Sequence, residues 1–395
     1  MKIAGCQRNG PFQESNALRL DFFDWLVVAI ITAVVSLGLP PLWTVFEGFE
    51  PDDTYRIPYA ISEDYWHFAR YARAAAKENG VIVLGDSVVW GRFASLEQTL
   101  SSNLKTETGL SFWNLGINGL HPVAMNGLLR YHVRSLRDCD ILLHFNPLWI
   151  SSPQYDLSTE RETRFNHPKL VPQFLPRIPC YHESADAKAD IAAERYAPLR
   201  SFASHLSIAY YDNKTPPVWT LDRPYECPLE PLWQEMPAPD ILPGEDFRSW
   251  KERDMAPQPF EWVSLDNSLQ WRFFCQTALH LRSRGNNVFV LVGPFNKHAV
   301  AQVSLDSYKA TIAAVQKWLV AEGFPCHLAS VLPVNLYADA SHPIGQGYTH
   351  ITRELLSQEH FQMFLGNAGS RQEEKASKSY CTNIQTVHTP SAGGK

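Results

Sequence analysis

Val81-Ile82-Val83-Leu84-Gly85-Asp86-Ser87 joins four consecutive apolar residues to a glycine, a carboxylate and a hydroxyl. A short all-apolar run without alternation is what a strand covered on both faces requires, because a half-exposed strand would carry polar side chains at every second position. Upstream, Ser62 to Asn79 places Tyr65, Phe68, Ala69, Ala72 and Ala76 at helical spacing and closes on Gly80. The same pairing recurs downstream. Phe112 to Leu115, Asp140 to Phe145, Val288 to Val292 and Cys326 to Ala329 are strand-like runs, interleaved with helix-like stretches at Pro122 to Leu136, Leu269 to Arg284 and Leu305 to Glu322. Strands alternating with helices predict an α/β fold: a five-stranded parallel sheet between two helical layers, with ligands at the carboxyl ends of the strands.

The rhythm is broken between the third and fourth runs. Residues 147–265 carry many prolines and five tryptophans (Trp149, Trp219, Trp233, Trp250 and Trp262) without clear periodicity. A segment this long inside a domain reads as a cap on the active-site side, or as a spacer or docking surface. From residue 366 the chain turns to Ser, Gln, Lys, Thr and Gly, a composition that does not offset the entropy of ordering, so 366–395 is expected to be a disordered tail.

At the other end, Trp25 to Leu39 is uncharged and almost wholly apolar, within a segment bounded by Phe22 and Trp43. This reads as a transmembrane anchor over 22–43, stopped by Pro40-Pro41; a cleavable signal sequence and a buried helix are the alternatives, and no small-x-small cleavage site follows. Lys2, Arg8 and Arg19 precede it and Glu47, Glu50, Asp52 and Asp53 follow it. The positive-inside rule then keeps residues 1–21 cytoplasmic and puts the linker, 44–61, and the main domain, 62–365, outside.

Composition narrows the classes further. Over 395 residues, 35 Lys and Arg face 41 Asp and Glu, a net charge of -6 that provides no basic field and argues against nucleic acid as a partner. The seven cysteines form no Cys-x-x-Cys pair, so neither a metal site nor a cofactor is implied. Cys180 and Cys227 share the irregular segment and would pair if they face an oxidising compartment; Cys139 and Cys326, beside strands, read as small buried hydrophobes.

Four blocks carry chemistry. Ser87 follows the first strand, where it reads either as a placed hydroxyl or as a helix cap. The second strand runs into Asn114-Leu115-Gly116-Ile117-Asn118-Gly119, whose glycines permit a turn with backbone N–H groups free for an anion. The third ends in His144-Phe145-Asn146-Pro147, which brings the Asn146 amide beside Ser87 if the strand order is 2-1-3-4-5. Asp339-Ala340-Ser341-His342-Pro343 follows the fifth strand and precedes a helix over Gln346 to Glu359. Asp and His three apart in a loop share a hydrogen bond that fixes the imidazole tautomer.

In this order the four blocks resemble the SGNH (GDSL) hydrolase family over roughly Val81 to Asn146 and Val288 to Glu359. The resemblance implies a flavodoxin-like sandwich and a serine acyl-ester enzyme, with Ser87 as nucleophile, His342 as general base and Asp339 as its orienting partner. It also implies an oxyanion hole from Ser87, the Gly119 N–H and the Asn146 amide, with Gly119 preferred to Gly116. The usual third block, Gly-x-Asn-Asp, is here His144-Phe145-Asn146-Pro147. The substrate would be an acylated small molecule or carbohydrate. Val292-Gly293-Pro294-Phe295-Asn296 and the single anchor are also similar to envelope proteins that assist multi-pass membrane-bound O-acyltransferases. Esterase, O-acyltransferase and non-catalytic envelope protein are the three functions that follow.

Overall fold

A computed structural model of the chain describes residues 21–78, 80–237 and 247–370. Cys6, Cys381, the N-terminal segment before residue 21 and the tail after residue 370 lie outside the described residues.

The chain divides into two units, up to Phe49 and from Glu50. The first holds helix α1 (Phe22–Glu47), begun by a reciprocal cap in which Asp21 and Asp24 each accept the other's backbone N–H. This helix is long and apolar enough to cross a membrane. Pro40 and Pro41 lie inside this helix and do not stop it as the sequence suggests. Proline removes a donor but keeps a helical φ, and the turn continues, with the Thr44 hydroxyl donating to the Pro41 carbonyl at 2.6 Å, until Gly48 ends it in the left-handed region.

In the second unit, α2 (Tyr65–Lys77) leads into β1 (Val81–Gly85), followed by α3 (Ser87–Trp90), α4 (Leu100–Thr108), β2 (Phe112–Gly116), α5 (Pro122–Gly127) and β3 (Asp140–Phe145). Three helices then lie within the long insert: α6 (Ala185–Glu194), α7 (Pro198–Tyr210) and α8 (Pro216–Asp222). The chain returns through α9 (Leu269–Ser283), β4 (Asn287–Val292), α10 (Leu305–Ala321), β5 (Cys326–Leu328) and α11 (Gly345–Leu356). All five strands are parallel, in the order β2-β1-β3-β4-β5.

Alternate strand residues supply two cores. Val81, Val83, Phe112, Leu142, Phe289 and Leu291 face one helical layer, where Leu104, Tyr348, Ile351 and Phe361 meet them. Their neighbours face the other layer: Trp113 packs on Tyr71 of α2, and Phe145 on Trp271 and Phe274 of α9. Each fully buried large apolar side chain contributes about 1.5 to 3 kcal/mol, so covering both faces is what makes an uninterrupted apolar strand favourable.

Several boundaries differ from the sequence reading. The linker reaches into the domain: Arg56, Ile57 and Ile61 are buried, and Arg56 donates to the carbonyls of Trp90, Gly91 and Ala94 at 3.1 to 3.3 Å. The helix expected over Pro122 to Leu136 is α5 plus one π-helical turn, Leu128–His132. Residues 359–370 are helical with Ala368 buried, so ordered chain extends past 366. Cys180 and Cys227 are not joined: the first is buried among Val123, Ile178 and Tyr181, the second exposed. Cys139 is buried and Cys326 half-buried.

Candidate active site

The register of the sheet carries three loops to one edge. Gly85 pairs with Gly116, and Leu84 with Leu143, so the chain leaves β1 at Asp86-Ser87, β2 at Ile117 and β3 at Asn146 side by side. At the first exit the Asp86 carboxylate accepts the Val88 N–H at 3.0 Å and starts α3, making Ser87 its first residue. That position leaves the Ser87 N–H without an intrahelical acceptor. At the second exit, Gly116 has no room for a side chain, since a Cβ would come 2.3 Å from the Trp90 nitrogen. Gly119, three residues on, turns the loop at a φ of +76°, a conformation glycine adopts without strain. A side chain there would strike the amide of Asn166.

The last block closes on the first. Ser87 Oγ is 2.7 Å from His342 Nε2, and His342 Nδ1 is 2.8 Å from both oxygens of Asp339. A ring nitrogen facing a carboxylate carries the proton, which leaves Nε2 as the acceptor toward the serine hydroxyl. Asp339 Oδ1 also accepts the backbone N–H groups of Ser341 and His342, each at 2.9 Å, so carboxylate and imidazole are fixed by their own loop. That loop is held from outside. Asn296 donates from Nδ2 to the Asp339 carbonyl at 3.1 Å and from its backbone N–H to the Ala340 carbonyl at 2.8 Å, while Arg253 donates to the Ala338 carbonyl. Phe93 meets the imidazole edge-on, with centroids 5.5 Å apart.

Electrostatics follow from this packing. Burial of His342 disfavours its charged form, but the Asp339 carboxylate outweighs burial and raises the imidazole above its ordinary value. Burial likewise opposes ionisation of Asp339; the imidazole and the loop N–H groups overcome it and hold the carboxyl well below the usual range.

A second buried network lies behind the serine. Asp86 Oδ2 accepts from Asn146 Nδ2 at 2.7 Å and from Trp149 Nε1 at 2.9 Å, and Asp86 Oδ1 lies 3.3 Å from His144 Nδ1. The far nitrogen of that ring donates to the Gly293 carbonyl at 2.9 Å. Burial alone would raise the Asp86 carboxyl, yet the His144 ring and the Asn146 amide hold it down. The Asn146 amide is therefore clamped at both ends, its oxygen accepting the Leu148 N–H at 3.0 Å. One of its two amide hydrogens is taken by Asp86 and the other is not.

No protein-family model matches this chain, and no curated protein matches it significantly.

All five residues singled out in the sequence thus lie on the carboxyl edge of the sheet, with Ser87, His342 and Asp339 in direct hydrogen-bond sequence and Asn146 joined to the turn before Ser87. The insert behaves less simply than a lid. Its helix α7 packs on the outer flank of α2 through Trp66 against Phe202 and through a buried 2.6 Å contact between His205 Nδ1 and Asp64 Oδ2. Residues nearer its two ends border the site: Trp149 on Asp86, Asn166 and His167 on the loop after β2, and Arg253 on the loop before His342. The prolines that hid α7 and α8 open them, since Pro198 and Pro216 stand at first helical positions where the missing N–H costs nothing.

A cleft of about 730 Å³ opens beside the imidazole loop, lined by Phe93, Gln98, Ser249, Lys251, Asn335 and Gln346 among others. Among the described residues, no group of three or more His, Cys, Asp and Glu side chains is arranged to hold a metal ion. Sequence reasoning missed Asp86, His144, Trp149 and Asn296 as supports of the site. One signal was present: His144 and Asn146 are two apart at a strand end, the spacing that turns both toward one face.

Proposed function

We propose that this chain is a serine acyl-ester hydrolase of the SGNH type, working through an acyl-enzyme on Ser87. The observation that carries the reading is the continuous chain from Ser87 Oγ through His342 to Asp339, at 2.7 and 2.8 Å. A neutral imidazole at hydrogen-bond distance from a hydroxyl removes its proton as the oxygen attacks an ester carbonyl, and the carboxylate stabilises the imidazolium that forms. The same imidazolium then protonates the departing alcohol. Water, deprotonated in turn by His342, releases the acyl group. The tetrahedral oxyanion would be met by the Ser87 and Gly119 N–H groups and the second amide hydrogen of Asn146, donors already fixed before charge develops.

The cleft beside His342 favours a second reading, transfer of the acyl group to an alcohol larger than water, such as a sugar hydroxyl. Its mixture of aromatic, amide and hydroxyl groups matches the surface of a carbohydrate. In either reading α1 anchors the protein in a membrane, with the catalytic domain on the extracytoplasmic side. A fluorophosphonate probe, which captures activated serines, is expected to label the wild-type protein and leave Ser87→Ala unlabelled. Equal labelling of both would remove Ser87 as the nucleophile, and no labelling of either would favour the non-catalytic alternative.

A further inference from the structure

The edge of the sheet opposite the candidate active site carries a concentration of arginines. Arg130, Arg134 and Arg137 are exposed along the segment that leads from α5 into β3, and none donates a hydrogen bond or pairs with a carboxylate among the described residues. Arg284 approaches from the end of α9, its Nη1 donating to the Val133 carbonyl at 3.1 Å and its carbonyl accepting the Asp138 N–H at 3.3 Å. The positive charges are close enough to act on one another: Arg284 feels Arg137 and Arg134, and His280 feels Arg284, Arg130 and Arg137. Asp138, the carboxylate beside them, lies against Gly285 and forms no ion pair with them. The α9 carbonyls nearby are satisfied by backbone N–H groups of Arg284, Gly285 and Asn286 and by the Asn286 amide, so the arginines are not consumed in capping that helix.

The position of this cluster matters as much as its charge. Arg137 and Arg284 each stand three residues before the first residue of a strand, Asp140 and Asn287, which pair with one another. They therefore mark the amino-terminal edge of the sheet. The chain also enters the domain there: Asp53 accepts from the Ser111 hydroxyl at 2.8 Å, one residue before β2 begins, and from Lys105 Nζ at 2.7 Å. Only the residues from Gly48 to Asp53 separate the end of the apolar helix from this attachment, at most about 20 Å of extended chain.

From this placement we propose that the Arg130, Arg134, Arg137 and Arg284 face docks on anionic phospholipid headgroups of the membrane that holds α1, turning Ser87 away from the bilayer. A tether this short gives the headgroups a high effective concentration at the domain, so a modest attraction per residue is enough to orient it. An exposed arginine near an anionic surface strengthens binding about fivefold, and three together on the order of a hundredfold. The proposal stands whether or not Ser87 is a nucleophile.

The test uses the full chain in nanodiscs of phosphatidylcholine, alone or with one-third phosphatidylglycerol. A fluorescent amino acid in place of exposed Ser283 reports energy transfer to a headgroup dye. Transfer is expected to be higher on the anionic discs, to fall to the neutral level at high salt, and to be lost in the triple variant Arg130→Ser, Arg134→Ser, Arg137→Ser, whose folding is checked by its melting temperature. Equal transfer on both compositions, an unchanged triple variant, or failure of the chain to enter discs at all would each overturn the proposal. So would capture of polygalacturonate by the same arginines on neutral discs without any response to anionic lipid, which would make the face a reader of acidic glycans.

Discussion

Ser87 Oγ and His342 Nε2 stand 2.7 Å apart across 255 residues of chain, and the imidazole reaches that position because Asp339 binds both its ring and its backbone N–H. Ser87 is fixed by the end of β1 and His342 by the loop after β5, so the pair depends on the whole sheet.

The raised pKa of His342 sets the pH dependence of the proposed reaction. The base works only when neutral, so kcat/KM for a small ester such as nitrophenyl acetate should rise with pH through an inflection above 6.5, the ordinary imidazole value. Asp339→Asn removes the attraction that overcomes burial. Its inflection should move below that of the wild type, with kcat lower on the order of a thousandfold or more. An acid limb that stays in place in Asp339→Asn would mean that another group controls it.

Asn146 is proposed to stabilise the oxyanion while Asp86 holds its amide. Loss of one such donor costs about 2.7 to 4 kcal/mol of barrier, so Asn146→Ala should lower kcat on the order of a hundredfold or more while KM changes little. Asp86→Asn keeps the shape but weakens the acceptor for Asn146 and Trp149, and a smaller loss in kcat is expected. Steady-state kinetics of the two variants check the order, and a near-normal Asn146→Ala would remove this amide from the hole.

Acid should destabilise the domain before its carboxylates titrate. His67 and His121 are fully buried, and burial, ahead of any neighbouring charge, depresses them to about 4 and about 3. Between pH 6.5 and those values the unfolded chain binds protons that the native state refuses, so stability falls as pH falls, by about 1.4 kcal/mol per unit for each histidine. His342 is shifted the other way; its contribution is complete below 6.5 and is lost at higher pH, outside this window. Urea unfolding of the detergent-solubilised protein at pH 6.5, 5.5 and 4.5 should show the midpoint declining steadily, and a flat profile would contradict the burial of these rings.

The proposed orientation is read from charge on either side of α1. A periplasmic-type reporter such as alkaline phosphatase, fused after residue 60, should be active in bacterial cells, and a cytoplasm-dependent reporter at the same position should be silent. The opposite pattern would place the domain, and its substrate, inside.

What the sequence determined by itself was the layered arrangement. Unbroken apolar runs such as Val81 to Leu84 have only one favourable environment, a strand covered on both faces, and they fixed the strands of the sheet to within a residue or two. Ser87 and Asn146 were marked because each stands just past a buried strand, Asp339 and His342 because they share one short loop, and Gly119 by the resemblance of the four blocks to a known family. Local chemistry also wrote the Asp339-to-His342 loop, whose bonds span only three residues. Tertiary structure decided the rest. Register brought Asp86, His144, Asn146 and Trp149 into one buried network, and the hydrogen bonds that make Asp86 an acceptor come from residues about sixty positions away. The insert was illegible for the same reason: α7 docks through the Asp64–His205 contact across 141 residues, and a pairing at that distance leaves no periodic trace. Arg56, unremarkable in a linker, became a buried clamp on the turn after Ser87 only because three carbonyls converge on it. Periodicity reports which side of an element is buried, whereas the partner that covers it is chosen by the folded chain as a whole.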